Sequence, residues 1–275
     1  MPFFSTIRNA GHVFWAVLFG ASIAPAAATP EFPRPTLCTL AQAKAQRTSA
    51  MEAAFRFRFC QYAASRSCDA RWRNTGDFLT MALADDRVTG VGTIAYMFGT
   101  IYAETAVKDL SPATQEIIGD TNKGKGYVKE GFYGRGWVQL TYEDKYRKAS
   151  EALGKDFVKE PNLVLEPRNA YEILFRGMSE GWIEVYRTSA HGAVDRMVPI
   201  KLGDFVSDTK VDYGLARAVI NANCKKLKGK CAPPNVEREK GLYIPPPASL
   251  DAGEKAATAA TKMEEVLCGV SVGKT

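Results

Sequence analysis

A glutamate near the end of one apolar helix pattern, Glu104, has the surroundings that a general acid requires. Ile94, Met97, Ile101 and Tyr102 recur at the spacing of one buried helix face. Each helical residue turns by about 100°, so Glu104 falls at the margin of this face, where partial loss of water favours a protonated carboxyl. Taken alone, a glutamate at a helix end is more commonly solvated or ion-paired. Its assignment as an acid therefore depends on the segments that follow.

Two features after this helix could complete a site. A second carboxyl, Glu116, lies twelve residues after Glu104, so a turn between them would let both reach one cleft. The segment 132–141 combines glycines, which allow close backbone approach, with aromatic rings on which sugars stack. Its Gln139 and Thr141 supply hydrogen-bonding groups. Such a segment alone is commonly a core turn, but an acid, a second carboxyl and an aromatic polar cleft together are what inverting glycoside hydrolysis needs.

The elements that must position these residues are predicted to be helices. Apolar periodicity and composition predict helical segments at 39–65, 77–85, 91–107, 142–153, 167–185, 212–222 and 251–268. Glycine-rich runs at 119–126 and 131–136 interrupt them, and a proline-rich stretch at 233–247 is expected to be extended. Hardly any run alternates with period two, so we predict a mostly α-helical fold with loops lining one side.

The first 28 residues have the pattern of a secretory signal. A basic residue, Arg8, precedes an apolar stretch at 13–24 and a small-residue run at 25–28. Twelve apolar residues are too few for a membrane-spanning helix, which needs about 20. We therefore predict cleavage after Ala28, a secreted or periplasmic location and no stable membrane anchor after cleavage. The predicted domains are a signal peptide (1–28), an N-terminal helical extension (29–75) and a catalytic domain (76–268).

An even number of cysteines, six, indicates disulfides in an exported protein. Six cysteines allow about fifteen complete pairings, and the sequence alone does not select one. Short separations favour two local bridges, and the remaining pair would then join the two ends of the mature chain. The expected pairs are Cys60 with Cys68, Cys224 with Cys231, and Cys38 with Cys268.

Composition limits the partners and cofactors. The net charge of +6 favours an anionic partner such as a bacterial cell-wall polymer. The basic residues are scattered, and the one dense run, 225–230, lies between two cysteines, so nucleic acid is not expected. No C-x-x-C pair occurs and the only histidines are His12 and His191, so no metal is predicted. We expect a monomer without a cofactor.

Several stretches resemble glycoside hydrolase family 19, which comprises class I and II chitinases and the related phage-type and bacterial endolysins. The first is AYMFGTIYAETA at 95–106, followed by KGKG at 123–126 and YGRGWVQLT at 133–141. The likeness extends to 161–167 and 218–221 and covers roughly residues 77–223. The YGRG-x-x-QLT segment is a specific signal of this family.

The resemblance implies an all-α, lysozyme-like, two-lobed fold with a central substrate cleft. It also implies metal-free, inverting hydrolysis of β-1,4 bonds in a GlcNAc-containing polymer, either chitin or peptidoglycan. By motif, Glu104 corresponds to the general acid, and Thr141 to the residue that helps to hold the attacking water. The expected substrate-binding residues are Tyr133, Arg135, Gln139 and Asn221.

The general base has two candidates, and one motif position departs from the family. Glu116 follows a proline after the acid, as in the phage-like branch, whereas Glu130 fits the longer spacing of the plant-like branch. We favour Glu116 because the KGKG run is of the phage-like kind. Ala103 stands where the family usually has histidine before the acid. A second hypothesis is therefore a secreted, non-catalytic glycan-binding protein on a hydrolase scaffold.

Overall fold

The computed structural model describes residues 33–188, 194–220 and 250–270. The predicted signal peptide and the proline-rich stretch lie outside these ranges, as do Cys224, Cys231 and Asn221. Within them the chain is mostly helical, in agreement with the all-α, lysozyme-like fold class. The helices are α1 (Leu40–Lys44), α2 (Thr48–Phe59), α3 (Ser65–Ala84), α4 (Val91–Thr105), α5 (Gly126–Lys129), α6 (Glu143–Leu153), α7 (Pro167–Ser179) and α8 (Leu250–Leu267).

The strands are short and antiparallel. They are β1 (Arg34–Pro35), β2 (Ile183–Thr188), β3 (Val194–Ile200) and β4 (Lys210–Val211). Strand β1 pairs with β4, and β2 pairs with β3. Short 3-10 helices cover Ala106–Lys108, Pro161–Leu165, Leu202–Asp204 and Ala216–Val219.

The N-terminal helices differ from the prediction. The single helix expected at 39–65 is wrong, because α1 ends at Lys44 and α2 begins at Thr48. The break lies beside Gln46, whose side chain packs against Gly269 after α8. This tertiary contact is not encoded in helix propensity. The helix expected at 77–85 is instead the 20-residue α3, since Gly76 weakens a helix by only about 1 kcal/mol and does not end it.

The prediction of a helix to residue 185 was also wrong. Helix α7 ends at Ser179, and Gly181 follows with φ 74°, a left-handed conformation that glycine adopts without strain. A Cβ at Gly181 would lie 2.7 Å from Cβ of Pro199, so the hairpin of β2 and β3 packs tightly against this turn. β-Branched residues in both strands favour this hairpin. Of the helix expected at 212–222, the described part contains only the 3-10 helix at 216–219.

Helix α4 forms the centre of the main apolar core. The side chains of Tyr96, Met97 and Phe98 have no exposed surface. At Gly99 a Cβ would lie 2.3 Å from the carbonyl oxygen of Ala256, so only glycine lets α4 and α8 approach this closely. Aromatic rings of α2 pack on the same core, and α3 runs without interruption through residue 76, where we placed a domain boundary.

Disulfides tie the helical part together. The bonds Cys38–Cys268 and Cys60–Cys68 are present, which confirms these two predicted pairs. The first joins the segment before α1 to the end of α8, and the second joins the end of α2 to the first turn of α3. No described helix has both the length and the apolar character that a membrane crossing requires.

A second, smaller apolar cluster lies under the glycine-rich loops. It contains residues from α6 and α7 together with rings from the connecting segments, among them Phe132, Phe157 and Trp182. The main core around α4 supports one side of the molecule and this cluster supports the other. A cleft lies between the residues that the two clusters hold in place.

Candidate active site

The cleft has a volume of about 650 Å³ and is open to solvent. It is lined by the end of α4, the segment 114–117, the loop 138–142, part of α7 and residues 217–220. Four of the predicted site residues therefore share one cavity, namely Glu104, Glu116, Gln139 and Thr141. The two aromatic side chains Tyr127 and Tyr142 also line it.

Glu104 lies in the last turn of α4, and its side chain is 21% exposed. Its Oε1 atom accepts a hydrogen bond from Nη2 of Arg217 at 2.6 Å, and the Arg217 side chain is only 5% exposed. A pair with so little water around it holds the carboxyl in one orientation. Sequence reasoning missed Arg217, although it is the only charged residue in the apolar run 215–220. A cation in such a run requires a partner when buried, and this signal could have identified it.

A strained turn carries the chain from Glu104 towards Glu116. Asp109 and Leu110 have φ values of 54° and 62°, which cost non-glycine residues about 1–3 kcal/mol each. Nε1 of Trp137 donates a hydrogen bond to the Leu110 carbonyl at 2.9 Å, and Nδ2 of Asn74 donates one to the Asp109 carbonyl at 2.8 Å. The turn is thus held both from α3 and from the loop that carries the YGRG-x-x-QLT motif, and it lies between the two carboxyls in the chain.

Glu116 is held by a network of hydrogen bonds. Its Oε1 accepts from Nδ2 of Asn122 at 2.8 Å and from the hydroxyl of Tyr127 at 3.0 Å, and its Oε2 accepts from the backbone N–H of Gly134 at 3.0 Å. Burial has the largest influence on the carboxyl and raises its pKa, but these donors and the charge of Lys125 together lower the pKa below its ordinary value. Glu116 is therefore a carboxylate at neutral pH.

The glycine at position 134 allows this network to form. The backbone N–H of Glu116 also donates to the Gly134 carbonyl at 2.7 Å, so the two segments run side by side. A Cβ at Gly134 would lie 2.9 Å from Oε1 of Gln139 and 3.4 Å from Cβ of Glu116. A larger residue would separate the segments and displace the carboxylate.

Arg135 and Tyr133 are placed differently from the other motif residues. Arg135 is only 3% exposed, and its guanidinium lies 3.7 Å from the ring centroid of Tyr133. It donates to the Gly131 carbonyl at 2.8 Å and to the hydroxyl of Tyr146 at 2.9 Å. Neither Arg135 nor Tyr133 is among the residues that line the cleft. This geometry favours a structural role for Arg135, which holds the motif loop together.

The end of the motif loop presents polar groups to the cleft. Gln139 has a φ of 52°, and its Nε2 donates to the Gly136 carbonyl at 2.9 Å. The Thr141 hydroxyl donates to the Gln139 carbonyl at 2.7 Å, which leaves its oxygen available to accept a hydrogen bond from water. Tyr142 is 54% exposed, and its ring meets that of Tyr127 edge-on at 5.0 Å. Tyr127 and Tyr142 were not predicted as site residues from the sequence, although Tyr142 directly follows the motif.

The remaining predicted positions lie elsewhere. Glu130 is exposed at the end of α5 and does not line the cleft. Ala103 is partly buried and packs against the main core. Asn221 lies outside the described residues. Among the side chains that the structure describes, no group of three or more potential ligands is arranged to hold a metal ion.

Two carboxyls, a hydroxyl and aromatic rings that line one cleft of a helical scaffold define the class of lysozyme-like glycoside hydrolases. Comparison with known families agrees with this class. The model of glycoside hydrolase family 19, described as chitinase class I, matches residues 41–244. The protein therefore belongs to glycoside hydrolase family 19. The match begins in α1, within the predicted N-terminal extension.

Similar characterised proteins are plant chitinases. An acidic 27 kDa endochitinase of Solanum lycopersicum is 29% identical over 158 residues, 54% of this chain and 60% of that protein. Chitinase 10 of Oryza sativa subsp. japonica is 24% identical over 169 residues, 60% of this chain and 56% of that protein. An acidic endochitinase of Petunia hybrida is 28% identical over 153 residues, 54% of this chain and 58% of that protein. The chain thus spans less than two thirds of each relative's length, and no solved structure matches it.

Proposed function

We propose that the protein hydrolyses β-1,4 glycosidic bonds in a GlcNAc-containing polysaccharide by an inverting mechanism. The observation that carries this proposal is that Glu104 and Glu116 line one cleft in a chain of glycoside hydrolase family 19. Their surroundings differ, because one is paired with a cation and the other accepts several hydrogen bonds. Two carboxyls that face one cleft can divide the roles of acid and base, with the acid protonated and the base ionised when the substrate binds.

Glu104 acts as the general acid in this proposal. With substrate bound, a protonated Glu104 gives its proton to the glycosidic oxygen as the bond to the anomeric carbon breaks, and Glu104 takes up another proton from solvent before the next turnover. The step leaves a carboxylate 2.6 Å from Nη2 of Arg217, and the guanidinium stabilises the negative charge that forms. Arg217 also keeps Glu104 in one orientation between turnovers.

Glu116 acts as the general base. It is ionised at neutral pH, so it can take a proton from a water molecule that attacks the opposite face of the sugar ring. The Thr141 hydroxyl donates to Gln139, so its oxygen accepts from this water and orients it. The exposed position of Glu130, away from the cleft lining, favours Glu116 over the second candidate.

Chitin is the substrate that we favour, and peptidoglycan is the second candidate. The relatives are named as chitinases and endochitinases, which supports a chitin-type polymer. Tyr127 and Tyr142 provide rings on which sugar units can stack. The two disulfides support an exported protein that meets its polymer outside the cytoplasm, either secreted or periplasmic.

Activity of acid and base variants tests the mechanism. Release of soluble products from chitin and from peptidoglycan would be measured for wild type, Glu104→Gln and Glu116→Gln. We expect each variant to lose about 10²–10⁴-fold in rate, the usual worth of general acid–base catalysis. Glu130→Gln is the matched control and should keep wild-type activity. Equal rates for wild type and Glu104→Gln would contradict the proposal.

Product analysis tests the stereochemistry and the substrate. An inverting enzyme releases the α-anomer from a β-linked polymer, which proton NMR detects before the sugar equilibrates. Mass spectrometry of products from both polymers identifies the bond that is cut. Tight binding to either polymer without any product would instead support the non-catalytic glycan-binding hypothesis.

A further inference from the structure

A line of buried polar groups lies behind Glu104 on the same helix. Tyr96, Thr100 and Glu104 are spaced by four residues, so they follow one side of α4. Tyr96 and Thr100 have no exposed surface, and Arg217, which pairs with Glu104, is 4% exposed. The line therefore leads from the interior of the main core to the candidate acid.

These groups have unused hydrogen-bonding capacity. Within the described part of the chain, the Tyr96 hydroxyl, the Thr100 hydroxyl and Nη1 of Arg217 are buried without a hydrogen-bond partner. Most buried polar groups in proteins are paired, commonly through an ordered water where no side chain reaches them. Two unpaired hydroxyls on one side of α4 and an unpaired nitrogen of Arg217, which bonds to Glu104 on the same helix, are thus a signal of bound water rather than of three separate defects.

The Thr100 hydroxyl illustrates this point. Threonine in a helix commonly bonds to the carbonyl four residues earlier, as Thr105 does with the Ile101 carbonyl at 2.6 Å. Thr100 makes no such bond, so its hydroxyl is free to serve another partner. The Thr100 hydroxyl lies close enough to the Tyr96 hydroxyl to lower the pKa of Tyr96, but the two oxygens do not meet the geometric criteria of a hydrogen bond.

The Tyr96 hydroxyl lies within electrostatic range of the site. Burial is the main reason that the pKa of Tyr96 is well above its ordinary value, while the charge of Arg217 lowers this pKa and the charge of Glu104 raises it. The other charged pair on this side, Arg34 and Glu264, is joined at 2.6 Å and also receives the Tyr213 hydroxyl. Those residues are thus bonded to one another, and none of them accepts or donates a hydrogen bond to the Tyr96 hydroxyl.

We propose that Tyr96 and Thr100 are positioning residues that hold buried water against Nη1 of Arg217. The water accepts a hydrogen bond from Nη1 and so holds the guanidinium in place. Nη2 of Arg217 then holds the Glu104 carboxyl in the orientation needed for proton transfer. Neither hydroxyl touches the substrate. This inference rests on the proposed function, because it assigns a second layer of support to the acid of that same site.

Two nearly isosteric variants test the proposal, Tyr96→Phe and Thr100→Val. Each removes one hydroxyl, and we expect kcat to fall about ten-fold with KM unchanged, the effect of losing one hydrogen bond to a charged group. The double variant should lose little more than either single variant, because both hydroxyls hold the same water. Thr100→Ser keeps the hydroxyl and should restore kcat. Tyr171→Phe, which removes a buried hydroxyl bonded to Asp85 outside the cleft, is the matched control and should keep wild-type kcat.

A crystal structure, together with the kinetics of the two variants, distinguishes failure of this proposal from failure of the proposed function. A high-resolution crystal structure should show ordered water at hydrogen-bond distance from Nη1 of Arg217 and from at least one hydroxyl. If wild type lacks glycosidase activity but this water is present, the function fails while the buried support stands. If the crystal structure shows no water there, or if both variants keep wild-type kcat whatever their stability in denaturant, the proposal is overturned.

Discussion

The wall of the cleft that carries Glu104 and the wall that carries Glu116 differ in what holds them in place. We call α4 and residues 216–219 the helical wall, and residues 114–142 the loop wall. The helical wall belongs to the main core, and its candidate acid, Glu104, depends on one buried partner, Arg217. The loop wall has a smaller apolar cluster beneath it, and its candidate base, Glu116, accepts hydrogen bonds from three separate donors.

The two carboxyls should therefore respond differently when one supporting group is removed. A carboxyl fixed by packing and one ion pair should fail when that single support is removed. A carboxyl fixed by several hydrogen bonds should tolerate the loss of any one of them with a limited change in pKa. The following predictions test this contrast in order of decreasing effect.

The largest effect is expected at the disulfide that joins the segment before α1 to the end of α8, the helix that packs on α4. Changing both Cys38 and Cys268 to serine frees a loop of 230 residues and should lower the free energy of unfolding by about 5 kcal/mol. Changing both Cys60 and Cys68 to serine opens a separation of only 8 residues and should cost about 2 kcal/mol. Denaturant unfolding measures both. An equal loss of unfolding free energy for the two variants would contradict the expectation that the longer loop gives the larger stabilisation.

The next effect is expected at the partner of the acid. Arg217→Met leaves Glu104 without its cation, and we expect a loss of about 3 kcal/mol in unfolding free energy, the low end for breaking a buried pair, because the Glu104 side chain keeps 21% exposure. The rate of hydrolysis should fall about 10²-fold, as for the loss of a group that stabilises developing charge. Arg168→Met is the control. Its side chain is 69% exposed in a pair with Glu172, so its effect should stay below about 1 kcal/mol.

A smaller effect is expected where the loop wall is most crowded. Gly134→Ala places a methyl group 2.9 Å from Oε1 of Gln139, and we expect a cost of about 1–2 kcal/mol in unfolding free energy with a reduced rate. The end of the Gln139 side chain can shift, which limits the cost. Gly124→Ala is the matched control, because nothing lies within 4 Å of its new methyl group. Similar losses for the two variants would show that packing at Gly134 is unimportant.

The smallest effect is expected for one donor to the base. Tyr127→Phe removes a hydrogen bond that lowers the pKa of Glu116, so this pKa should rise, and only modestly because the Asn122 and Gly134 donors remain. The base works as a carboxylate, so activity is present above its pKa and is lost as the pH falls through it. The acidic limb of the kcat/KM profile should therefore move to higher pH in Tyr127→Phe. A shift to lower pH, or a loss as large as that of Arg217→Met, would break the contrast between the walls.

Local patterns in the sequence were sufficient for several parts of the site. The apolar period of α4 placed Glu104 at the edge of a buried face, and its side chain is indeed partly exposed. The twelve-residue spacing and the motif at 133–141 led to Glu116, Gln139 and Thr141, which all line the cleft. The sequence could bring these residues to one cleft because helix periodicity and turn-forming glycines act over a few residues, and their catalytic roles stay predictions.

Other features depend on residues far apart in the chain, and the sequence pattern could not supply them. Arg217 meets Glu104 across 113 positions, and the break before α2 coincides with a contact to Gly269. Arg135 was predicted to bind substrate from its motif, but the structure shows it buried under the loop. Its guanidinium donates hydrogen bonds to the Gly131 carbonyl and the Tyr146 hydroxyl, and amino-acid composition does not predict these contacts.

The amino-acid sequence alone predicts a mostly helical protein that resembles glycoside hydrolase family 19, with Glu104 and Glu116 as its candidate acid and base. The contacts of each carboxyl become known only from the folded structure, because ionisation and orientation depend on water exclusion and on partners within a few ångströms. For Glu104 that partner comes from the 3-10 helix at 216–219, and for Glu116 from a loop folded back on itself.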